Sequence, residues 1–173
     1  SLADHLQRAA RKAPASPALR CNGSTWTFAE WLADIRQLAD GLPHQTKQLV
    51  LCGDSLESAR HSGACSLRNF PFFPVDRKAS LSFHGPSQRE ALPAFNPPLS
   101  DVALIIATSG SEGKPRAVLL GNAQLDAAAA ASNERLPLYP GDLWLNCLPL
   151  FHIGGQSDRK STRLNSSHLN NLV

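Results

Sequence analysis

The chain has 173 residues, 42% of them hydrophobic and 18% charged, with a formal net charge of +3. That balance describes a folded domain large enough for its own core and excludes a disordered segment. No apolar run reaches the ~18 residues a membrane span needs, and the opening "SLADHLQRAARKAP" lacks the apolar centre of a secretory signal.

In chain order, Leu2, Leu6, Ala9, Ala10 and Ala13 recur on one stripe, which predicts a first helix ending before Pro14. "ALRCNGSTWTF" reads as a hairpin, because the turn dipeptide Asn22-Gly23 is flanked by apolar residues. Thr27 and Glu30 are spaced as a capping box, and Phe28, Trp31, Leu32, Ile35, Leu38, Ala39 and Leu42 carry the helical stripe to Pro43. "QLVLCG" predicts a short buried strand, "SLESARHSGACSLRN" a helix in which His61 is structural, and "FPFFPVD" an edge or irregular strand because of its prolines. Strand, helix and strand in that order predict parallel pairing through a crossover helix, and hence an α/β fold.

Residues 77–100 read as a proline-rich connection with one helical turn near Gln88 to Leu92. "DVALIIAT" has the continuous apolar character of a central strand, and "RAVLL" is a second strand. "NAQLDAAAAASNER" predicts a helix capped by Asn122, and "LWLNCLPLFHIGG" a strand entering a loop that Gly154 and Gly155 let fold back. Four cysteines lack any C-x-x-C spacing and three lie in apolar patterns, which predicts buried free thiols in a reducing, cytoplasmic setting. The histidines show no paired metal-ligand spacing, so no metal-binding residues are assigned.

Asp158 to Val173 departs from what precedes it. "DRKSTRLNSSH" is the in-frame translation of a common sequencing-adapter string. We therefore expect two segments: 1–157 as the natural sequence and 158–173 as a foreign, disordered tail. Without the tail the body carries 14 basic and 13 acidic residues, net +1, which does not mark a nucleic-acid or membrane-surface binder.

The chemistry concentrates between the two apolar strands, in Thr108, Ser109, Gly110, Ser111, Glu112, Gly113, Lys114 and Pro115. This connection is longer than the about two to five residues a hairpin requires. Gly110 and Gly113 allow backbone N–H groups to turn inward as an anion-binding nest, three hydroxyls add donors, and Lys114 adds a cation. On these residues alone, a phosphate cradle and a plain surface turn both remain open. A Walker P-loop is disfavoured, because only two residues separate the glycines and Pro115 follows the lysine.

"TSGSEGKPRAV" resembles the phosphate-loop signature of the adenylate-forming superfamily, which contains acyl-CoA synthetases, peptide-synthetase adenylation domains and luciferases. "LNCLPLFHIGG", "TWTFAEWLADIRQLADGL" and "SGACSLRNFPFFPVD" are similar to further motifs of that superfamily and stand in the same order. Short spacers and the wording "LPLFHIGG" look most like the o-succinylbenzoate–CoA ligase branch of compact acid–CoA ligases. Glu112 stands where threonine is usual, Arg116 replaces a lysine, Ala117 a glycine, and Arg68-Asn69 a small or apolar pair.

The resemblance implies the N-terminal portion of a large adenylate-forming domain and an AMP-forming ligase using ATP, Mg²⁺, CoA and a small carboxylic acid. It implies that Thr108, Ser109, Gly110, Ser111, Gly113 and Lys114 embrace the β- and γ-phosphates, with Glu112 beside them near Mg²⁺ or facing solvent. His152 would line the acyl site; a lone histidine after an apolar strand otherwise reads as structural. The superfamily's later motifs have no counterpart before Ser157, so we expect no ligase activity from the chain as given, exposed apolar surface and poor solubility. Two other readings remain: a peptide-synthetase-type adenylation domain, or a small nucleotide-binding module complete in itself. A carrier domain encoded downstream would favour the first; cooperative unfolding with tight ATP binding would favour the second.

Overall fold

In a computed structural model, the described residues are 1–46, 48–76, 101–108, 116–137, 142 and 144–156. The first helix, α1 (Leu2–Lys12), ends with Ala13 as its C-cap. Strands β1 (Pro17–Cys21) and β2 (Ser24–Thr27) pair antiparallel with Cys21 opposite Ser24. Asn22 at φ 50° and Gly23 at φ 78° both occupy the left-handed region, as a type I′ turn demands. Thr27 then caps α2 (Phe28–Gly41) as expected. Its hydroxyl accepts the Glu30 N–H at 3.2 Å, and the Glu30 carboxylate accepts the Thr27 N–H at 2.8 Å.

The unit β3 (Leu49–Leu51), α3 (Ser55–Leu67), β4 (Phe72–Pro74) is the expected parallel pair with a crossover helix. A second capping box, Asp54 with Glu57, starts α3. β4 also pairs parallel with β5 (Val102–Thr108), and β5 pairs antiparallel with β6 (Arg116–Gly121). The sheet order is β3-β4-β5-β6, and α4 (Asn122–Arg135) follows β6 directly.

Two packing clusters hold these elements. Leu6, Ala9, Leu19, Phe28, Trp31, Leu32, Ile35 and Leu150 form one among the helices and the first hairpin. Cys65, Phe70, Phe72, Leu104 and Ile106 form the other, between α3 and the sheet. Gly63 makes α2 and α3 approach closely: a Cβ there would stand 2.5 Å from Ile35 Cδ1.

Several expectations need correction. β4 is an inner strand, flanked by β3 and β5 and buried along its length. Proline is tolerated because the strand is only three residues long. Pro71 lies just before it and accepts the Leu49 N–H, while Pro74 closes it. β3, expected to be buried, is the outer strand of this sheet, and Val50 is 45% exposed.

Asn122 is the first residue of α4 rather than its cap. Gly121 takes that position, and its N–H donates to the Gln124 side chain. Residues 144–147 form no strand: among the described residues none pairs with them, and a sheet ladder needs a partner. The four cysteines are free thiols, but only Cys65 is buried; Cys52 and Cys147 are exposed. The connection 77–100, the turn near Gln88 and the tail 158–173 lie outside the described residues.

Candidate functional site

The Gly/Ser/Lys segment is mounted on the β5–β6 hairpin. β5 is rigid because three consecutive residues, Leu104, Ile105 and Ile106, are buried, so both of its faces are covered. Its pairing with β6 runs through Leu104↔Leu120, Ile106↔Val118 and Ala107↔Ala117 to Thr108↔Arg116. Thr108 is therefore the exposed last rung, facing Arg116 across the ladder. Seven residues join those two ends. Ser109, Gly110, Ser111, Glu112, Gly113 and Lys114 lie among them, outside the described residues. The hairpin that carries the loop is as expected from the sequence, and α4 begins only after β6 has ended.

His152 belongs to a separate turn. It is exposed, its ring lies 4.6 Å from that of Phe151, and its backbone N–H donates to the Pro149 carbonyl. A helical turn over 153–156 follows, with the Gln156 N–H donating to the His152 carbonyl. The two glycines do allow the fold-back. A Cβ on Gly155 would stand 2.5 Å from the Pro149 oxygen and 2.7 Å from that of Leu148, so only glycine fits.

Three further residues lock this turn. Leu150 is buried in the helical cluster, the Gln156 side-chain amide donates to the Leu150 carbonyl, and the Asn146 amide donates to the Gly155 carbonyl. Sequence reasoning passed over Asn146 and Gln156. Their only signal was a polar residue on either side of "CLPLFHIGG", and such residues in a loop read as solvated until the fold-back is known.

Gln156 lines a cavity of about 40 Å³ with Leu2, Ser62, Ser66, Ala103, Leu104 and Asn122 among its neighbours. That space suits a few waters, not a nucleotide. It places the turn beside the start of β5, whereas Thr108 lies four residues further along, about 13 Å at strand rise. Thr108 and His152 thus sit on different supports, one on the sheet ladder and one on the helical cluster.

Among the described residues no three His, Cys, Asp or Glu side chains converge as a metal cluster. His61 Nδ1 lies 2.8 Å from the Glu57 carbonyl, one turn back on its own helix. Burial pushes the Cys65 thiol well above the ordinary thiol range, so it stays protonated and inert.

The sequence that forms this sheet and its antiparallel hairpin has a defined kinship. The AMP-binding enzyme family matches residues 54–158, and the chain belongs to that family. Within it, the 2-succinylbenzoate–CoA ligase of Bacillus cytotoxicus is 44% identical over 59 residues, 34% of this chain and 12% of that protein.

The fold agrees. O-succinylbenzoate coenzyme A synthetase from Bacillus subtilis, solved in complex with ATP and magnesium ion, superposes with a TM-score of 0.75 at 20% identity. The superposition covers 98% of this chain and 56% of that one. A long-chain-fatty-acid CoA ligase from Rhodopseudomonas palustris superposes with a TM-score of 0.76 at 21% identity over 99% and 57%. The chain thus spans just over half the length of the solved chains it resembles.

Proposed function

We propose that this chain is the N-terminal portion of an AMP-forming acid–CoA ligase. A carboxylate oxygen attacks the α-phosphorus of ATP, the bond to the β-phosphate bridging oxygen breaks, and pyrophosphate leaves. The CoA thiol then attacks the acyl carbon, giving up its proton as AMP departs. The observation that carries this reading is the Gly/Ser/Lys loop spanning the open end of a rigid β-hairpin, inside a chain of the AMP-binding family.

In this reading Thr108, Ser109, Gly110, Ser111, Gly113 and Lys114 hold the β- and γ-phosphates. Backbone and hydroxyl donors with one cation stabilise charge that grows on the leaving pyrophosphate. Glu112 borders the same space. Mg²⁺ would enter with ATP and neutralise phosphate charge, with Glu112 as the loop carboxylate available to it. His152 lines the acyl side, and its packing against Phe151 limits how the ring can turn. The Bacillus relative makes 2-succinylbenzoate the first acid to test. The free thiols agree with a cytoplasmic enzyme. Residues 158–173 are read as foreign to it, which DNA sequence across codon 157 tests.

The experiment is Lys114→Ala in the full-length ligase that carries this segment, followed by ATP–pyrophosphate exchange. One charge-assisted contact contributes about 1.5–3 kcal/mol, so exchange should fall about 10- to 100-fold. Unchanged exchange would remove Lys114 from the site.

A further inference from the structure

His5 stands where α1 meets α4 and is only 6% exposed. Its two ring nitrogens face opposite partners. Nδ1 lies 2.6 Å from an Arg8 guanidinium nitrogen, and Nε2 lies 3.6 Å from Asp126 Oδ1 on α4. A guanidinium can only donate. Nδ1 must therefore accept, which makes the ring neutral and places its single proton on Nε2, toward Asp126.

We propose that His5 is a proton-operated clasp between α1 and α4. In the neutral state it accepts from Arg8 alone, while Nε2 stands 3.6 Å from Asp126 Oδ1, beyond hydrogen-bond reach. When a solvent proton binds Nδ1, the exposed Arg8 loses its acceptor, and the charged ring closes on Asp126 as an ion pair. Closed in this way, the clasp ties α1 to the helix that continues the β5–β6 hairpin.

Among the described residues, the surroundings contain the charges such a device needs and few others. On the α1 side they are Arg8, Asp4 and the first amine of the chain, which lies 2.9 Å from Asp4 and 3.7 Å from Asp126. α3 brings Ser66, whose hydroxyl accepts the Ala3 N–H, and Ser62, neither of which titrates near neutral pH. The α2 residues clustered with Leu6 and Ala9 are apolar. Burial first, and then the positive charge of Arg8, hold the ring below the usual histidine range, while Asp126 opposes them.

The test is ¹⁵N-resolved NMR of the His5 ring in the 173-residue chain across about pH 5 to 8, where histidines titrate. The expected result is the Nε2–H tautomer at the alkaline end. Arg8→Ala should raise the titration midpoint by about half a pH unit by removing a like charge, and Asp126→Asn should lower it. Acetylating the amine of Ser1 should leave the direction of the Arg8→Ala shift unchanged. Arg8 is exposed, so Arg8→Ala decides even if Asp126→Asn disturbs folding. The Nδ1–H tautomer, or a midpoint that Arg8→Ala does not move, would overturn the clasp.

Discussion

Burial of His5 couples stability to pH whatever the clasp itself does. The unfolded ring takes up its proton near pH ~6.5, and the folded ring does so lower, because burial and Arg8 disfavour the cation. Between those two midpoints the unfolded chain binds more protons, so stability is complete above the unfolded value. It is lost as pH falls toward the folded midpoint, and then levels off. Glu30, held down by the Thr27 N–H, shifts away from the histidine range rather than toward it. Urea unfolding at about pH 7.5 and about pH 5.5 should therefore show a weaker fold at the lower pH, with a smaller difference in His5→Gln. Equal losses in both proteins would place the responsible group elsewhere. Nothing in the sequence marked His5: a histidine in an amphipathic helix ordinarily sits at the water boundary, and Asp126, which stands beside it, lies 121 positions later.

Among elements, the α2–α3 contact sets a steric limit that can be measured. Gly63→Ala forces its new methyl against Ile35, and overpacking of this kind costs about 1–3 kcal/mol. Gly41→Ala, at the end of α2 with open space around it, should instead stabilise by about 0.5–1 kcal/mol through helix propensity. Thermal melts of both variants check the pair; similar effects would mean that helix propensity, not packing, governs Gly63. Elements such as α1, the Asn22-Gly23 turn and the Thr27–Glu30 box were legible because each is decided by residues within one or two turns of chain. The inner position of β4, the exposure of β3 and the absence of a strand over 144–147 were not. Each depends on which strand lies alongside, and Phe72 meets Leu104 across 32 positions of sequence.

For the whole molecule, the two halves of the candidate site differ in how far the sequence revealed them. The loop between Thr108 and Arg116 was legible from composition, since small residues, hydroxyls and one lysine interrupt two apolar strands. The His152 turn was legible as a motif, but its anchors Leu150, Asn146 and Gln156 were not, because they act through the helical cluster and the fold-back. Large apolar side chains also stand in water, Leu145 at 59% exposure and Leu136 at 55%. Leu145→Gln with Leu136→Gln should raise the soluble yield while changing stability by no more than about 0.5 kcal/mol. Expression yield and a melting curve read both quantities, and a marked loss of stability would mean that these side chains pack in solution. The hairpin has one more implication, for descent rather than for folding. Both ends of the seven-residue loop rest on one rung of the ladder, Thr108 opposite Arg116, so residues can be gained, lost or exchanged there without re-registering the sheet, and closure entropy changes little with length. The composition of this segment is therefore free to drift among lineages while the scaffold beneath it stays the same.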